Sequence, residues 1–584
     1  MTRFRVLAAL IASAMLSGAG DMDRDSLADR QRADSSVQRI QAMGDSMRRS
    51  MVIAMTRFPW QRKEGDRRPP LFNNLGDYSW AISTTERRAQ RYFDQGLAWA
   101  YGFNHAESVR AFRAAQEIDA DCAMCFWGEA YALGPNINAP MSAQAVQPAY
   151  EAIQSALARA DGISAVERGL IEATALRYAA QPNVDRLALD AAYSEALGRL
   201  ANAFPDALDV AVLYAESLMN LRPWDYWEAD GTTPKAGIAE AIAAVESVLA
   251  TDPNHAGPIH FHTPLIEASA TPERAESAAD RLRGLVPGAG HLQHMPSHIY
   301  IRVGRHLDSM DANREAAAAD EAFLKTVEAD GIYPYGYYPH NVHFLLQSAQ
   351  FAGDEETARD ASEKLSSILN DDFAIGYAWE AILPAPYFFH AQFRDAPTIL
   401  ALPSPGERSA LRKAMWHYAR GVAHVLNGET QRARDEARAI ADIESSGKLD
   451  LLVPQAVPAP AMAAIARLVV LARAARADGD LSAATDLLTQ AVSIQDTLPY
   501  MEPPFWYYSV RQTLGAVLLA RGQAQDAARM FEASLADFAN NAYALYGLVV
   551  AHEQSGNATE QANSEARFYE HWAGGESRPD LERM

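Results

Sequence analysis

The chain has 584 residues, too many for one compact core, so it divides into domains or runs as an elongated repeat array. Hydrophobic residues make up 49% and charged residues 22%, which excludes a disordered composition. Lys and Arg number 52 against 74 Asp and Glu; the resulting net charge of −22 repels phosphate backbones and argues against a nucleic-acid partner.

At the N-terminus, Arg3 and Arg5 precede an apolar run over residues 6–16, and Ser17-Gly18-Ala19 follows as a small-residue cleavage site. This order reads as a signal peptide over residues 1–20. The run is too short to span a bilayer, no cysteine follows it to carry a lipid, and no later stretch is continuously apolar over about 18 residues. The expectation is an exported chain, periplasmic or secreted, and not an integral membrane protein; an uncleaved N-terminal anchor is the alternative. Residues 21–85 are polar and irregular, an arm or linker marked by Arg67-Arg68-Pro69-Pro70.

From residue 86 onward apolar residues recur at helical spacing in an Ala-, Leu-, Glu- and Arg-rich background, without strand alternation. A tetratricopeptide (TPR) unit pairs two antiparallel helices through a small residue in the first helix, a second small residue about 12 positions later and a large apolar residue about 16 later. Residues 91–120 fit with Gly96, Ser108, Phe112 and Ala115, and residues 465–495 with Ala472, Ala484, Leu488 and Ala491. Residues 510–535 fit with Gly515, Ala527 and Phe531, and residues 416–440 more loosely with Gly421 and Ala433. Asn427-Gly428, Asp478-Gly479-Asp480 and Arg521-Gly522-Gln523 supply short turns. These features predict an all-α, TPR-like α-solenoid of antiparallel helix pairs, with one array over 86–400 and C-terminal repeats over 401–584. Stacked pairs form a superhelix with a concave groove lined by the first helices.

Nine of the 15 histidines fall between 255 and 343. His260 and His262 flank Phe261. His291, His294 and His298 stand at i, i+3 and i+7, one helical face, although Pro296 suits a first helical turn and would leave His291 and His294 in the preceding loop. His340 and His343 follow Pro339 and share a face. His260 to His298 is 38 residues and His298 to His340 is 42, each close to one helix-pair repeat of about 34 plus a loop insertion. The repeat therefore brings together one each of His260 or His262, His298, and His340 or His343, with His294 one turn from His298. Three converging imidazoles suit zinc or copper before iron. Glu267 and Asp308 are candidates for a fourth ligand, a carboxylate that orients a histidine, or a general base. His105, His255 and His306 read as packing residues. The same cluster also fits a metal-free groove for a peptide or small molecule, or histidines that are structural throughout.

Cys122-Ala123-Met124-Cys125 lacks the following histidine of c-type haem attachment and any thioredoxin-like βαβ context, leaving two buried thiols or a local disulfide. The turn at 134–140 is placed to rim the groove, and Trp224, Tyr337 and Tyr338 to floor it. No nucleophile elbow, P-loop, dinucleotide fingerprint or H-E-x-x-H occurs, so the common hydrolase and nucleotide chemistries lack support.

Four segments carry a resemblance. They are Phe93-Asp94-Gln95-Gly96-Leu97 with Phe103-Asn104-His105-Ala106-Glu107, the stretch from Cys122 to Gly134-Pro135-Asn136, HLQHMPSHIYIRVG over 291–304, and Tyr338-Pro339-His340-Asn341. Together, over about 90–355, they resemble a group of exported bacterial TPR-repeat proteins. The resemblance implies the solenoid fold and export, and it carries no reaction and no catalytic residue. Asp119-Ala120-Asp121 stand where the repeat usually turns at proline. The combined expectation is an exported TPR solenoid whose central groove binds a protein, peptide or small-molecule ligand through a histidine-held transition metal. The alternatives are a metal-dependent enzyme, hydrolytic with zinc or oxidative with copper or iron, and metal storage or delivery.

Overall fold

The computed structural model of the chain describes residues 68–584 apart from 182–183, 229, 328–331 and 370–379. The signal peptide read over 1–20 and the arm as far as 67 lie outside the described residues. Among the described residues the structure is helical, and extended pairing is confined to isolated bridges at Asn136–Ala139 and Trp227–Pro234. No helix among them is long and apolar enough to cross a membrane.

Helices pair in chain order, from Arg87–Tyr101 on His105–Ile118 to Ala542–Gln554 on Ala558–His571. Helices two apart also touch, as stacked pairs in a solenoid must: Arg87–Tyr101 meets Ala123–Leu133, and Val510–Ala520 meets Ala542–Gln554. The reason lies in a wedge. Phe112 is buried between glycines sixteen residues to either side; a Cβ at Gly96 would lie 2.8 Å from its ring and one at Gly128 2.3 Å. Phe531 repeats the arrangement at the other end of the chain, with 2.7 Å at Gly515 and 2.3 Å at Gly547. Only a residue without a side chain admits the ring at these distances. Ser108 Oγ ties the first pair further by donating to the Gly96 carbonyl at 2.7 Å. In the looser unit a Cβ at Gly421 would lie 2.6 Å from Val470 of a following helix instead of from an aromatic ring. Gly428, Gly479 and Gly522 turn the chain with φ of +73°, +85° and +73°.

The array curls back on itself. Helix Ala256–Ile266 touches Arg87–Tyr101, and Tyr338–Ala352 touches Ala542–Gln554. The ring of His306 bonds the Ala539 carbonyl at 2.8 Å across the second closure. The largest hydrophobic core runs from Leu75 to Tyr337 and the next from Phe351 to Met584, with a smaller separate cluster between Met310 and Phe389. Residues 68–85 lie on the first pair: Tyr92 donates to the Pro69 carbonyl at 2.9 Å, and Leu75 and Ile82 are buried. Cys122 caps helix Ala123–Leu133 and forms a buried local disulfide with Cys125.

Candidate metal centre and its cavity

Helix Gly290–His294 runs through Met295 into Pro296–Val303. Proline disfavours a helical residue before it, yet Met295 keeps φ −53° and ψ −35°, and its N–H donates to the His291 carbonyl at 3.0 Å. His291 and His294 are therefore helical, which corrects the placement in a preceding loop, and the three histidines occupy one stripe. His340 and His343 stand in the first turns of Tyr338–Ala352, with Pro339 opening the helix.

Proton positions at the centre follow from the partners. Asn313 donates through Nδ2 to the Ser309 carbonyl at 2.8 Å, so its Oδ1 accepts from His294 Nδ1 at 2.6 Å. His294 thus carries its proton on Nδ1 and presents a lone pair on Nε2, 2.9 Å from His298 Nε2. On its other side, His298 Nδ1 lies 2.7 Å from Glu502 and 2.8 Å from Glu267, both fully buried. His298 therefore donates in both directions. Burial opposes its charge, but the two carboxylates outweigh burial and hold its pKa well above the usual imidazole range. Burial and the neighbouring Glu267 push Glu502 upward in turn. Burial drives His294 and His340 far down, helped by charge on their histidine neighbours.

The His340 ring lies 4.8 Å from that of His294 and 5.7 Å from that of His298, and Phe344 packs on all three. His294, His298 and His340 each offer a nitrogen within 4.8 Å of the others. Zinc binds imidazole nitrogen at about 2.0–2.1 Å, so an ion would take the place of the shared proton between His294 and His298, with the His340 nitrogen drawn in toward it. Carboxylates at Nδ1 of His298 fix the ring and raise its basicity as a ligand. Glu267, His298 and Glu502 form a second group within the same 4.8 Å limit. Its oxygen-rich donor set suits zinc and copper less well than three imidazoles.

The centre faces a cavity of about 1060 Å³, counting its mouth. His260, His291 and His343 line it, as do Phe103, Trp224 and Tyr337. Asn138 of the 134–140 turn donates to the Tyr337 hydroxyl at 2.9 Å and accepts from Trp224 Nε1 at 3.1 Å, fastening the rim. Phe103 and Trp224 hold φ of +55° and +63°, left-handed values that bulky side chains rarely adopt and that cluster at functional sites.

Of the candidates read from sequence, the structure gathers His260, His298, His340 and His343 around one cavity, with His294 and Glu267 against His298. His260 and His343 stand outside both three-group clusters. His262 is not part of the site. Two residues along a helix is 200° around it, so His262 turns away to Glu246 at 3.4 Å. Asp308 pairs with Arg305 at 2.7 Å, and Tyr338 bonds Glu321 at 3.0 Å instead of flooring the cavity. His105, His255 and His306 bond Ala132, Asp209 and Ala539 as packing residues. Glu502 and Asn313 were not foreseen. Glu502 lies 204 residues from His298, and its only signal in the sequence is a lone acid in the proline- and aromatic-rich stretch 501–508.

Asp320 lies beneath the histidine helices, accepting from Tyr333 at 2.8 Å and Asn341 at 2.7 Å. Burial raises its pKa from 3.8 to about 7 despite both donors. Between those values the folded chain holds a proton that the unfolded chain has lost, so stability falls as pH rises through this window and levels above it. The term is on the order of 4 kcal/mol. Asp320→Asn is expected to remove it: from pH 5 to pH 8 the variant should lose less thermal stability than the parent, and equal losses would contradict the assignment.

No protein-family model matches the chain, and no curated protein is significantly similar in sequence. Several solved helical-repeat structures are similar in course. Yeast Tom70 is 12% identical, covering 83% of this chain and 97% of its own, with a TM-score of 0.28. Cut9, from the APC/C hetero-tetramer Cut9–Hcn1, is 13% identical over 79% and 76% with a TM-score of 0.28. The TPR domain of P58(IPK) is 9% identical over 80% and 99% with a TM-score of 0.21. At these scores the likeness adds nothing to what the helix pairs themselves establish, an all-α solenoid of TPR type.

Proposed function

We propose that this chain is an exported, ligand-binding helical-repeat protein whose central cavity is built on a transition-metal centre, with His294, His298 and His340 as ligands and zinc or copper as the ion. One observation carries this reading: two imidazoles, each locked at Nδ1 by a separate partner, aim their Nε2 atoms at one point beside a third. Three protein ligands leave a coordination position open toward the cavity. The closure of the solenoid makes that space a better fit for a small molecule than for a peptide. The local disulfide suits the oxidising compartment read from residues 1–20. A second reading, a metal-dependent enzyme, is favoured by Glu502, which touches His298 and lines the cavity, where it can take or give a proton.

Metal-stripped protein given a small excess of zinc or copper should unfold at a distinctly higher temperature. Binding to the folded state alone contributes about 4 kcal/mol at a thousand times the dissociation constant. An unchanged transition with both ions, and no ion retained on desalting, would rule the centre out.

A further inference from the structure

We infer that the molecule occupying this cavity is uncharged and largely apolar, and that it carries a hydroxyl or N–H proton which it donates to His260. The inference rests on the cavity being a ligand site and is independent of the metal. It follows from an accounting of charge and of hydrogen bonds.

Among the described residues no lysine or arginine lines the cavity, and its one cationic ring, His298, is already paired with Glu267 and Glu502, which leaves an anion no unpaired positive charge there. Its one acidic residue, Glu502, has an oxygen committed to His298. Histidines, Tyr337 and Asn138 apart, the remaining wall is aromatic and aliphatic, led by Phe103, Ile137 and Trp224, and the two aromatics are held there in left-handed backbone.

Most polar atoms of the wall are imidazole nitrogens; those of His291 and His343 lack a protein partner, whereas the role of His260 is fixed by its bond. His260 Nδ1 bonds the Tyr101 carbonyl at 2.6 Å, which can only accept, so the single proton of the neutral ring sits on Nδ1. Burial keeps that ring neutral, lowering its pKa to about 3. His260 Nε2 is then a lone pair, fully buried and without a protein partner. Asn138 uses both ends of its amide on the rim. Tyr337 accepts from Asn138, which leaves its own proton to give. The His260 and Tyr337 rings lie 5.0 and 4.5 Å from the ring of His291, which stands between them, and Phe103 touches all three. A hydroxyl at this wall donates to His260 Nε2 while its apolar body rests on Phe103. A buried acceptor left unpaired is unfavourable, and a site built to bond an OH or NH rejects the analogue that lacks it.

The test compares p-cresol with p-xylene, which have the same shape, by calorimetry on the full chain, both metal-stripped and metal-loaded. In a merely apolar cavity p-xylene binds better, because the hydroxyl must leave water. We expect the reverse in both preparations, p-cresol binding about tenfold or more tighter, with p-toluate and 4-methylbenzylammonium weaker than p-cresol. His260→Phe should restore the preference for p-xylene. The inference is overturned if p-xylene equals or exceeds p-cresol in the parent protein, if a charged probe binds best, if no probe binds, or if p-cresol is preferred only with metal present. The last result would place the hydroxyl on the ion, leaving the metal centre standing and this contact wrong. A preference that persists in a chain unable to bind metal would do the opposite.

Discussion

His298→Ala is expected to lower zinc or copper affinity by about 100-fold or more, a loss beyond the 10–100-fold typical of groups that merely support a ligand. It should also destabilise the fold by about 3–5 kcal/mol, the usual consequence of removing one partner from a buried ion pair. The second effect arises because Glu267 and Glu502 would face each other in the interior without the imidazolium that now separates their charge. His340→Ala separates the two effects. His340 is only partly buried and contacts neither carboxylate, so its loss should weaken metal binding and leave the unfolding midpoint nearly in place. Competition against a chromophoric chelator and urea denaturation measure the two quantities. Parent-like metal affinity in His298→Ala would remove this histidine from the coordination shell.

Phe531→Ala is expected to destabilise the C-terminal pairs by about 3–5 kcal/mol, since it empties a space that two glycines keep open for the ring. Solenoid stability is a sum over neighbouring units. The last pairs should therefore unfold ahead of the rest, and limited proteolysis should move to the chain beyond residue 510. Gly515→Ala attacks the same wedge from the other side: its methyl would sit 2.7 Å from the ring, an overpacking worth about 1–3 kcal/mol. A denaturation curve for Phe531→Ala that overlays the parent would show that the wedge does not hold these pairs together.

The wedge was legible in the sequence because its parts lie at fixed, short intervals: Gly96 with Phe112, and Gly515 with Phe531. The meeting of His260, His298 and His340 at one cavity was legible through the repeat period. Helix phase was not, because a one-repeat argument places a helix and leaves the rotation of each side chain open. His262 therefore stood equal to His260 in sequence and faces the opposite way in space. Pro296 does open a helix, but the residues before it form a short helix of their own instead of a loop, and Met295 between the two keeps helical angles. Glu502 was out of reach for a different reason. It arrives from the C-terminal half through the curling of the solenoid, a contact between distant units that no local pattern records. The same curling narrows the expected groove to a cavity with a mouth.

X-ray absorption on the chain loaded with one equivalent of zinc or copper tests the metal centre most directly. The expected result is a single tightly held ion with three imidazole nitrogens at about 2.0–2.1 Å and one exchangeable position. An oxygen-dominated shell would instead place the ion between Glu267 and Glu502, and failure to retain one equivalent would contradict the centre altogether.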